Sequence, residues 1–435
     1  MPMVDPKIES APWESQARAD APLYLKQIAY LFEHSRFYRG KLERAGFATH
    51  GAVGGLGAIE GLPFTEKDEL RASRTREEPI GTHLTAAAGD IVRIYSTSGT
   101  TGTPSFIPLT ATDLEVWVRT SARSYAASGV ERGERMVSTY NAGPFAAGAT
   151  LDAFERLGLC HIPVGFTNTE RLVTAIDLLK PTAAAMTPSH ALHLAERARE
   201  RGLDLARSSV KRVLVAGEPG GGEPAMRAKL EAAWGASVTE AMGVGDISVS
   251  LWGECEEKAG MHFSGRGFVH FELVDPETGA AKAVEDGAEG ELVLTHLVNR
   301  SAPLLRFRTR DQVRMSVGRC ACGRTAPRLR CVGRTDDMLI VRNVNVFPSA
   351  VREVVNEFAP AVTGVMMIRP KEKGVRQKPP LPVSVEVAAE AEAEGLAEKI
   401  RTRLRAALLI ATDIELVPAG SLPRSEYKSK LVEKA

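Results

Sequence analysis

Two groups of residues have types and spacings suited to chemistry. Tyr95 to Pro104 reads YSTSGTTGTP, which sets the hydroxyls of Ser98, Thr100 and Thr101 around Gly99 and Gly102. Backbone N–H groups freed by close-set glycines, with hydroxyls beside them, make a turn that can cradle phosphate. The string is not a G-x-x-x-x-G-K-[ST] loop, because its glycines are too close and no lysine follows. Nor is it a dinucleotide fingerprint, because another extended piece, SFIPLT, precedes the next helix. A Ser/Thr/Gly-rich surface turn is the plain alternative. The second group is GRCACGR, with Cys320 and Cys322; Cys255 lies upstream, and His262 follows it by seven residues. Three thiols and an imidazole suffice for a closed, structural, tetrahedral zinc site. C-x-C is a less usual spacing than C-x-x-C, so the fourth ligand and unlinked thiols both stay open. Cys160 and Cys331 are expected to be small buried apolar residues.

Elements must hold these groups in place. At 435 residues the chain exceeds one ordinary core, so two or more domains are expected. Its 44% hydrophobic and 25% charged content is that of a soluble globular protein. A net charge of +1 points away from nucleic-acid partners. The opening MPMVDPKIESAPWE is unlike a secretory signal, and no run approaches the ~18 apolar residues of a membrane span. Five cysteines, an odd number, fit a reducing cytosol, so a cytoplasmic protein without a membrane partner is expected. A homodimer is compatible with all of this.

The segment YLKQIAYLFEHSRFYRGKLERAG repeats apolar residues at helical spacing. IVRIY (91–95) predicts a strand leading into the hydroxyl-rich loop. From Arg135, strands at 136–140, 160–164, 183–187 and 211–217 alternate with helices at 146–158, 169–180 and 189–202. That alternation predicts an α/β fold with parallel sheets covered by helices. After Gly235 the chain turns strand-rich, with FVHFELVDPETG and GELVLTHL. Beyond Asp336 the predicted order is helix, strand, strand, helix, strand, a small α+β unit of about a hundred residues. GRTDDMLIVRN reads as a hinge, which divides the chain into 1–335 and 336–435.

YSTSGTTGTP resembles the phosphate loop of the adenylate-forming superfamily, which activates carboxylic acids with ATP. Further stretches resemble that superfamily in chain order: AGEPGGG (216–222), AMGVGDIS (241–248), LLRFRTRDQV (304–313), CVGRTDDMLIVRNVNVFPSAV (331–351) and LPRSEYKSK (422–430). The RxRTRD, GRTDDMLIxRxVNVFPS and LPRSE strings are similar to those of the phenylacetate–coenzyme A ligase group. The resemblance covers nearly the whole chain from about residue 20. It implies a large N-terminal adenylate-forming domain, a small mobile C-terminal domain, and a site in the cleft between them.

Adenylation joins a carboxylate to the α-phosphate of ATP and expels pyrophosphate. Cationic charge, Mg²⁺ and N–H donors are needed where negative charge develops. The resemblance implies that Ser98, Gly99, Thr100, Thr101 and Gly102 hold the leaving phosphates. Ser105 stands where many superfamily loops carry a lysine, an absence shared with the phenylacetate group. Asp246 matches the metal-binding glutamate but is one methylene shorter. Met242, beside Gly243, replaces a tyrosine that packs on the nucleotide. Gly217, Glu218 and Pro219 match the adenine side, Asp311 the ribose hydroxyls, and Arg334 the ribose and phosphate. Asp336 matches the hinge, and Lys428 the catalytic lysine that bridges carboxylate and α-phosphate. Asn343 and Tyr427 replace glycines. The competing assignments are plain ones: Asp246 as a solvated loop acid, Asp311 salt-bridged to Arg308 or Arg310, and Lys428 as one of several tail lysines, Lys430 included. Lys371, Lys373, Arg376 and Lys378 either meet the 3′-phosphate of coenzyme A or form a solvated loop.

The acid pocket is expected along TYNAGPFAAGA (139–149), with Tyr140 and Phe145 as an aromatic wall and Ala216 and Gly217 as its floor. That shape suits an aryl or arylacetyl acid; ordinary packing of a strand–helix turn is the alternative. The expected reaction converts acid, ATP and coenzyme A to acyl-CoA, AMP and pyrophosphate. One rival passes the acyl group to an amine or a carrier-protein thiol. Another is a nucleotide-binding protein with degraded catalysis, suggested by Met242, Asp246, Asn343 and Tyr427.

Overall fold

A computed structural model of the chain describes residues 2–96, 105–140, 148–165, 168–335, 338–341, 344–372, 376–389, 394–423 and 431–433. These residues pack as two compact units to which the chain contributes more than once. The first comprises Met1–Gly165, Thr239–Thr309 and Arg314–Arg330; the second comprises Phe166–Val238, Arg310–Val313 and Cys331–Ala435.

In the first unit the helices Gln16–His34 and Arg36–Arg44 bury Tyr24, Ile28, Leu31, Tyr38 and Leu42 with Leu297 and Leu305. Positions 24, 28 and 31 form the one-sided stripe of an amphipathic helix. Ser35 ends the first of these helices and caps the second, its hydroxyl accepting the Tyr38 N–H at 3.2 Å. The antiparallel strands Ile91–Ser96 and Phe106–Thr110 bracket the hydroxyl-rich string. Their inner residues Tyr95, Ile107 and Leu109 pack on Trp117 of the helix Ala111–Ala127. Tyr95 and Trp117 lie parallel with ring centres 6.1 Å apart. The strands Arg135–Ser138 and Cys160–Pro163 pair in parallel around the helix Ala149–Arg156, as the alternation predicts. Ser237–Val244, Ser248–Glu254 and Met261–Phe263 then pair antiparallel in succession, as do Val269–Val274 and Glu289–His296.

In the second unit the parallel strands Ala183–Met186 and Arg212–Ala216 accompany the helices Thr169–Leu179, Pro188–Glu200 and Pro224–Trp234. Ala183 to Met186 are all buried, as an uninterrupted apolar run requires. Further along, Leu381–Val387 pairs antiparallel with Val362–Ile368 and parallel with Thr412–Pro418. The helices Pro348–Asn356 and Leu396–Leu408 flank this sheet in sequence. Val351, Val355, Ile368, Val383, Val385, Ile400 and Leu404 share its core. The expected helix, strand, strand, helix and strand are present, but the short strands Leu339–Val341 and Val344–Val346 precede them and Arg376–Gln377 comes between the two middle strands; the fold is α/β. Among the described residues, no helix is long and apolar enough to cross a membrane.

Two expectations are corrected. Cys160 is exposed and Cys331 only half-buried. Cys160 opens a strand that, among the described residues, pairs with Arg135–Ser138 alone and has no strand against its other edge.

Candidate active site and metal centre

Ser98, Gly99, Thr100, Thr101, Gly102, Phe145, Asp336 and Lys428 lie outside the described residues, as do Asn343, Lys373, Tyr427 and Lys430. The remaining candidates are spread over both units.

In the first unit, Thr65 lies alongside Phe307. Its N–H donates to the Arg306 carbonyl at 2.9 Å, and its own carbonyl accepts the Arg308 N–H at 3.0 Å. That pairing aims the short helix Lys67–Ala72. The Glu69 carboxylate accepts the Glu66 N–H at 2.7 Å and also an ammonium bond from Lys41, while Leu70 is buried beneath. Lys67, at the first helical position, donates from Nζ to Asp246 Oδ2 at 2.8 Å. Asp246 sits in the turn after Ser237–Val244, closed by the Ile247 N–H on the Val244 carbonyl at 2.7 Å. Upstream of that turn the strand register shifts between Met242 and Val244. Gly243 is needed there, since a Cβ would lie 2.0 Å from the Val249 carbonyl oxygen. Met242 is half-buried opposite Trp252. Asp246 is therefore no solvated loop acid: its side chain is 13% exposed and ion-paired.

Lys67, Arg74, His83, Ser105, Asp246 and Trp117 line one narrow hollow. His83 is buried, and its Nδ1 has no hydrogen-bond partner among the described residues. Burial, reinforced by Arg74, lowers its pKa to about 4, so the imidazole is neutral near pH 7. Two cations and a neutral imidazole around one carboxylate suit a polyanion accompanied by a divalent ion. Sequence reasoning found Asp246 and Ser105 but missed Lys67, Arg74 and His83; Lys67 lies 179 residues from its partner. Elsewhere in this unit the Tyr140 ring stacks on buried Phe154 at 6.5 Å. His161 meets Phe154 edge-on at 5.1 Å, and its Nε2 lies 2.7 Å from Ser138 Oγ.

In the second unit, Asp311 accepts from Arg334 Nη1 at 2.7 Å. Two residues matched to the ribose side of a nucleotide are thus brought together by neighbouring strands. Arg308, one of the alternative partners, instead holds Glu291 at 2.6 Å. Ala216 ends its strand, and Gly217 turns the chain out of it with φ of +94°, a conformation glycine adopts freely. Glu218 Oε1 then accepts the Ser189 N–H at 2.6 Å, and the Pro219 carbonyl accepts from Arg352 at 2.7 Å. The adenine-side segment is therefore fixed on both flanks. Lys378 pairs with Glu372 at 2.7 Å in an exposed loop.

The first unit also gathers Cys255, His262, Cys320 and Cys322, all buried, with their donor atoms within 4.8 Å of one another. Cys255 Sγ and Cys320 Sγ are 3.7 Å apart, and Cys322 Sγ is 3.5 Å from His262 Nε2. A tetrahedral ion with metal–sulfur bonds of about 2.3 Å and metal–nitrogen bonds of about 2.0–2.1 Å has edges of about 3.8 and 3.5 Å. These two separations match such edges, and His262 is a candidate fourth donor. A hydrogen bond from Cys255, and His262 beside it, hold the Cys322 thiol well below the ordinary thiol range. The same contact, together with burial, pushes Cys255 up.

Comparison with known proteins agrees over the whole length. Residues 44–296 match the family of AMP-binding enzymes, and residues 343–434 match the AMP-binding enzyme C-terminal domain. The chain is 32% identical to a phenylacetate-coenzyme A ligase of Thermus thermophilus, with 98% of this chain and 97% of the relative covered. It is 30% identical to the phenylacetate-coenzyme A ligase of Escherichia coli, over 92% of this chain and 91% of that one. Among solved structures it is similar to a 2-hydroxyisobutyryl-CoA ligase in complex with R3-HIB-AMP. The TM-score there is 0.91 at 26% identity, covering 100% of this chain and 94% of that one. With an ion-paired acid at Asp246, the Asp311–Arg334 pair and both family segments in chain order, this chain belongs to the AMP-binding, adenylate-forming enzymes, in the group of phenylacetate–coenzyme A ligase-like proteins.

Proposed function

We propose that this enzyme ligates an aromatic carboxylic acid, of aryl or arylacetyl type, to coenzyme A. The acid is first joined to AMP with loss of pyrophosphate; the thiol of coenzyme A then attacks the acyl carbonyl and AMP leaves. The observation that carries the reading is end-to-end similarity to phenylacetate-coenzyme A ligases, with 98% of this chain covered. Asp311, held by Arg334, takes the ribose hydroxyls. Gly217, Glu218 and Pro219 border the adenine, and Met242 and Gly243 lie along the nucleotide. Asp246 holds Mg²⁺, which when bound neutralises phosphate charge. Ser98, Gly99, Thr100, Thr101 and Gly102 receive the leaving phosphates, and Lys428 bridges the carboxylate and the α-phosphate. Tyr140, Phe145 and Ala216 border the acid. Residues 336–435 act as a small domain that turns about Asp336 between the two half-reactions. Cys255, His262, Cys320 and Cys322 hold a structural zinc ion. We place the enzyme in the cytoplasm; a homodimer fits this reading.

A second reading, a small branched hydroxy acid, is favoured by one observation. The Ser138–His161 pair, 2.7 Å apart, offers polar groups in the same aromatic cluster as Tyr140. Pyrophosphate release over a panel of aryl, arylacetic and short branched hydroxy acids, with and without coenzyme A, tests both. Aryl or arylacetic acids should exceed 2-hydroxyisobutyrate by at least about tenfold, and steady AMP release should require coenzyme A. The reverse preference selects the hydroxy acid. Turnover driven by amines or carrier protein but not by coenzyme A changes the acceptor. No release with any acid leaves a nucleotide-binding protein without catalysis.

A further inference from the structure

We propose that Lys67, with Arg74 on the same wall, is the cation that receives the pyrophosphate leaving group. The proposal rests on the ligase reading. As the bond to the α-phosphate breaks, negative charge grows on the departing oxygens, and a positioned cation is what stabilises it. The hydroxyl-rich loop supplies none: YSTSGTTGTP contains no lysine or arginine, and Ser105 follows it. The hollow that Ser105 lines carries Lys67, Arg74 and His83 on its wall with a single carboxylate, Asp246.

Geometry favours Lys67 as the mobile member. Its backbone is fixed by the Thr65 pairing, by Glu69 on the Glu66 N–H and by buried Leu70. Its side chain is 34% exposed, with Nζ 2.8 Å from Asp246 Oδ2. A lysine ammonium on a flexible four-carbon stem, with three rotatable donors, can leave one acceptor for another without backbone movement. Asp246 would hold Mg²⁺ when that ion is bound, and Lys67 would then be available to the phosphate oxygens. His83 Nδ1, buried and without a partner among the described residues, is a further polar group on that wall. Gly81 makes room for it, since a Cβ there would stand 2.9 Å from that nitrogen. The competing role is a structural tie: Lys67 would merely fasten its helix to the Asp246 turn.

The test uses the full chain, with inorganic pyrophosphate and Mg²⁺ as the probe, read by calorimetry beside AMP binding. Lys67→Gln should weaken pyrophosphate at least about tenfold while AMP binding stays within about twofold. ATP–pyrophosphate exchange should slow about 10²-fold, the usual loss when one donor to developing charge is removed. Lys67→Arg should restore part of the pyrophosphate affinity. Thioester formation from supplied acyl adenylate, which involves no pyrophosphate, should keep its rate. Asp68→Asn, on the exposed side of the same helix, should match wild type throughout. Pyrophosphate binding within about twofold of wild type in Lys67→Gln overturns the proposal, and so does equal weakening of AMP and pyrophosphate. A wild-type protein that exchanges with no acid overturns the ligase reading, while the calorimetric comparison still decides the role of Lys67.

Discussion

Asp311 reaches Arg334 because of strand alternation. Along Phe307–Ser316 the residues at 307, 309, 311 and 313 face inward, so Arg308 and Arg310 point to the opposite face. The cation left for the Asp311 face comes from the neighbouring strand Arg328–Arg334, and the two groups meet at 2.7 Å. Asp311 is 9% exposed at its side chain and Arg334 is 39% exposed, so the pair opens toward solvent on the arginine side. A carboxylate held this way can accept two ribose hydroxyls at once. Hydrogen bonds to a charged group are worth about 1.5–3 kcal/mol. Asp311→Asn keeps the shape and removes the charge, so AMP affinity by calorimetry should fall about 10–100-fold with the KM for the acid unchanged. Arg334→Lys should be intermediate, because a lysine cannot reproduce the planar fork. Unchanged AMP binding in Asp311→Asn would remove the ribose assignment.

The metal cluster is built by elements far apart in sequence. Gly253 and His262 are paired across Ser248–Glu254 and Met261–Phe263, which places Cys255 at the end of the first strand near His262. The GRCACGR turn then brings Cys320 and Cys322 to the same point. Next to that turn, Arg324 pairs with Glu9 at 2.9 Å, and the Thr325 N–H donates to the Glu9 carbonyl at 3.2 Å. The turn thereby fastens the N-terminal residues. Cys320→Ser should reduce zinc from about one per chain to near zero. It should also lower the melting temperature by several degrees and expose the first residues to protease, as loss of a structural zinc does. Metal analysis and a thermal melt check this; wild-type protein without zinc, prepared without chelator, would remove the centre. The three cysteines and the histidine were legible as a candidate set because metal ligation restricts residue type, and the fold brings them together. The strands Ala183–Met186 and Arg212–Ala216 were legible because buried parallel strands are apolar runs. Lys67 was not legible: a lysine opening a short helix looks like any solvated lysine until tertiary packing brings Asp246 to it. Cys160 was misjudged because strand order, which decides what covers an edge, leaves no mark on a single strand.

Across the molecule, titration gives stability a definite pH dependence. His83, His161 and His270 are each lowered to about 4 by burial, and so are neutral when folded. Unfolded, they take up protons near 6.5. Their contribution is complete above pH 6.5 and is lost as pH falls through 4, because the unfolded chain then binds more protons. For His83, which is almost fully buried, that contribution is about 3 kcal/mol. Asp20 works against them. Burial pushes its carboxyl up to about 6, despite the Gln16 amide that donates to it at 2.8 Å. Its folded-state preference for the proton favours the fold below its ordinary value of 3.8, and that stability is lost as pH rises through 6. Three imidazoles outweigh one carboxyl, so the melting temperature should climb from pH 4 to pH 6.5 and then level off. Asp20→Asn removes the opposing titration while retaining a hydrogen-bonding side chain. The climb between pH 4 and 6 should therefore steepen, and the variant should melt higher than wild type at pH 7. Melting curves of both proteins at half-unit steps from pH 4 to 8 provide the measurement. A variant curve parallel to wild type would mean that Asp20 stays ionised in the fold and that Arg266, not burial, governs it.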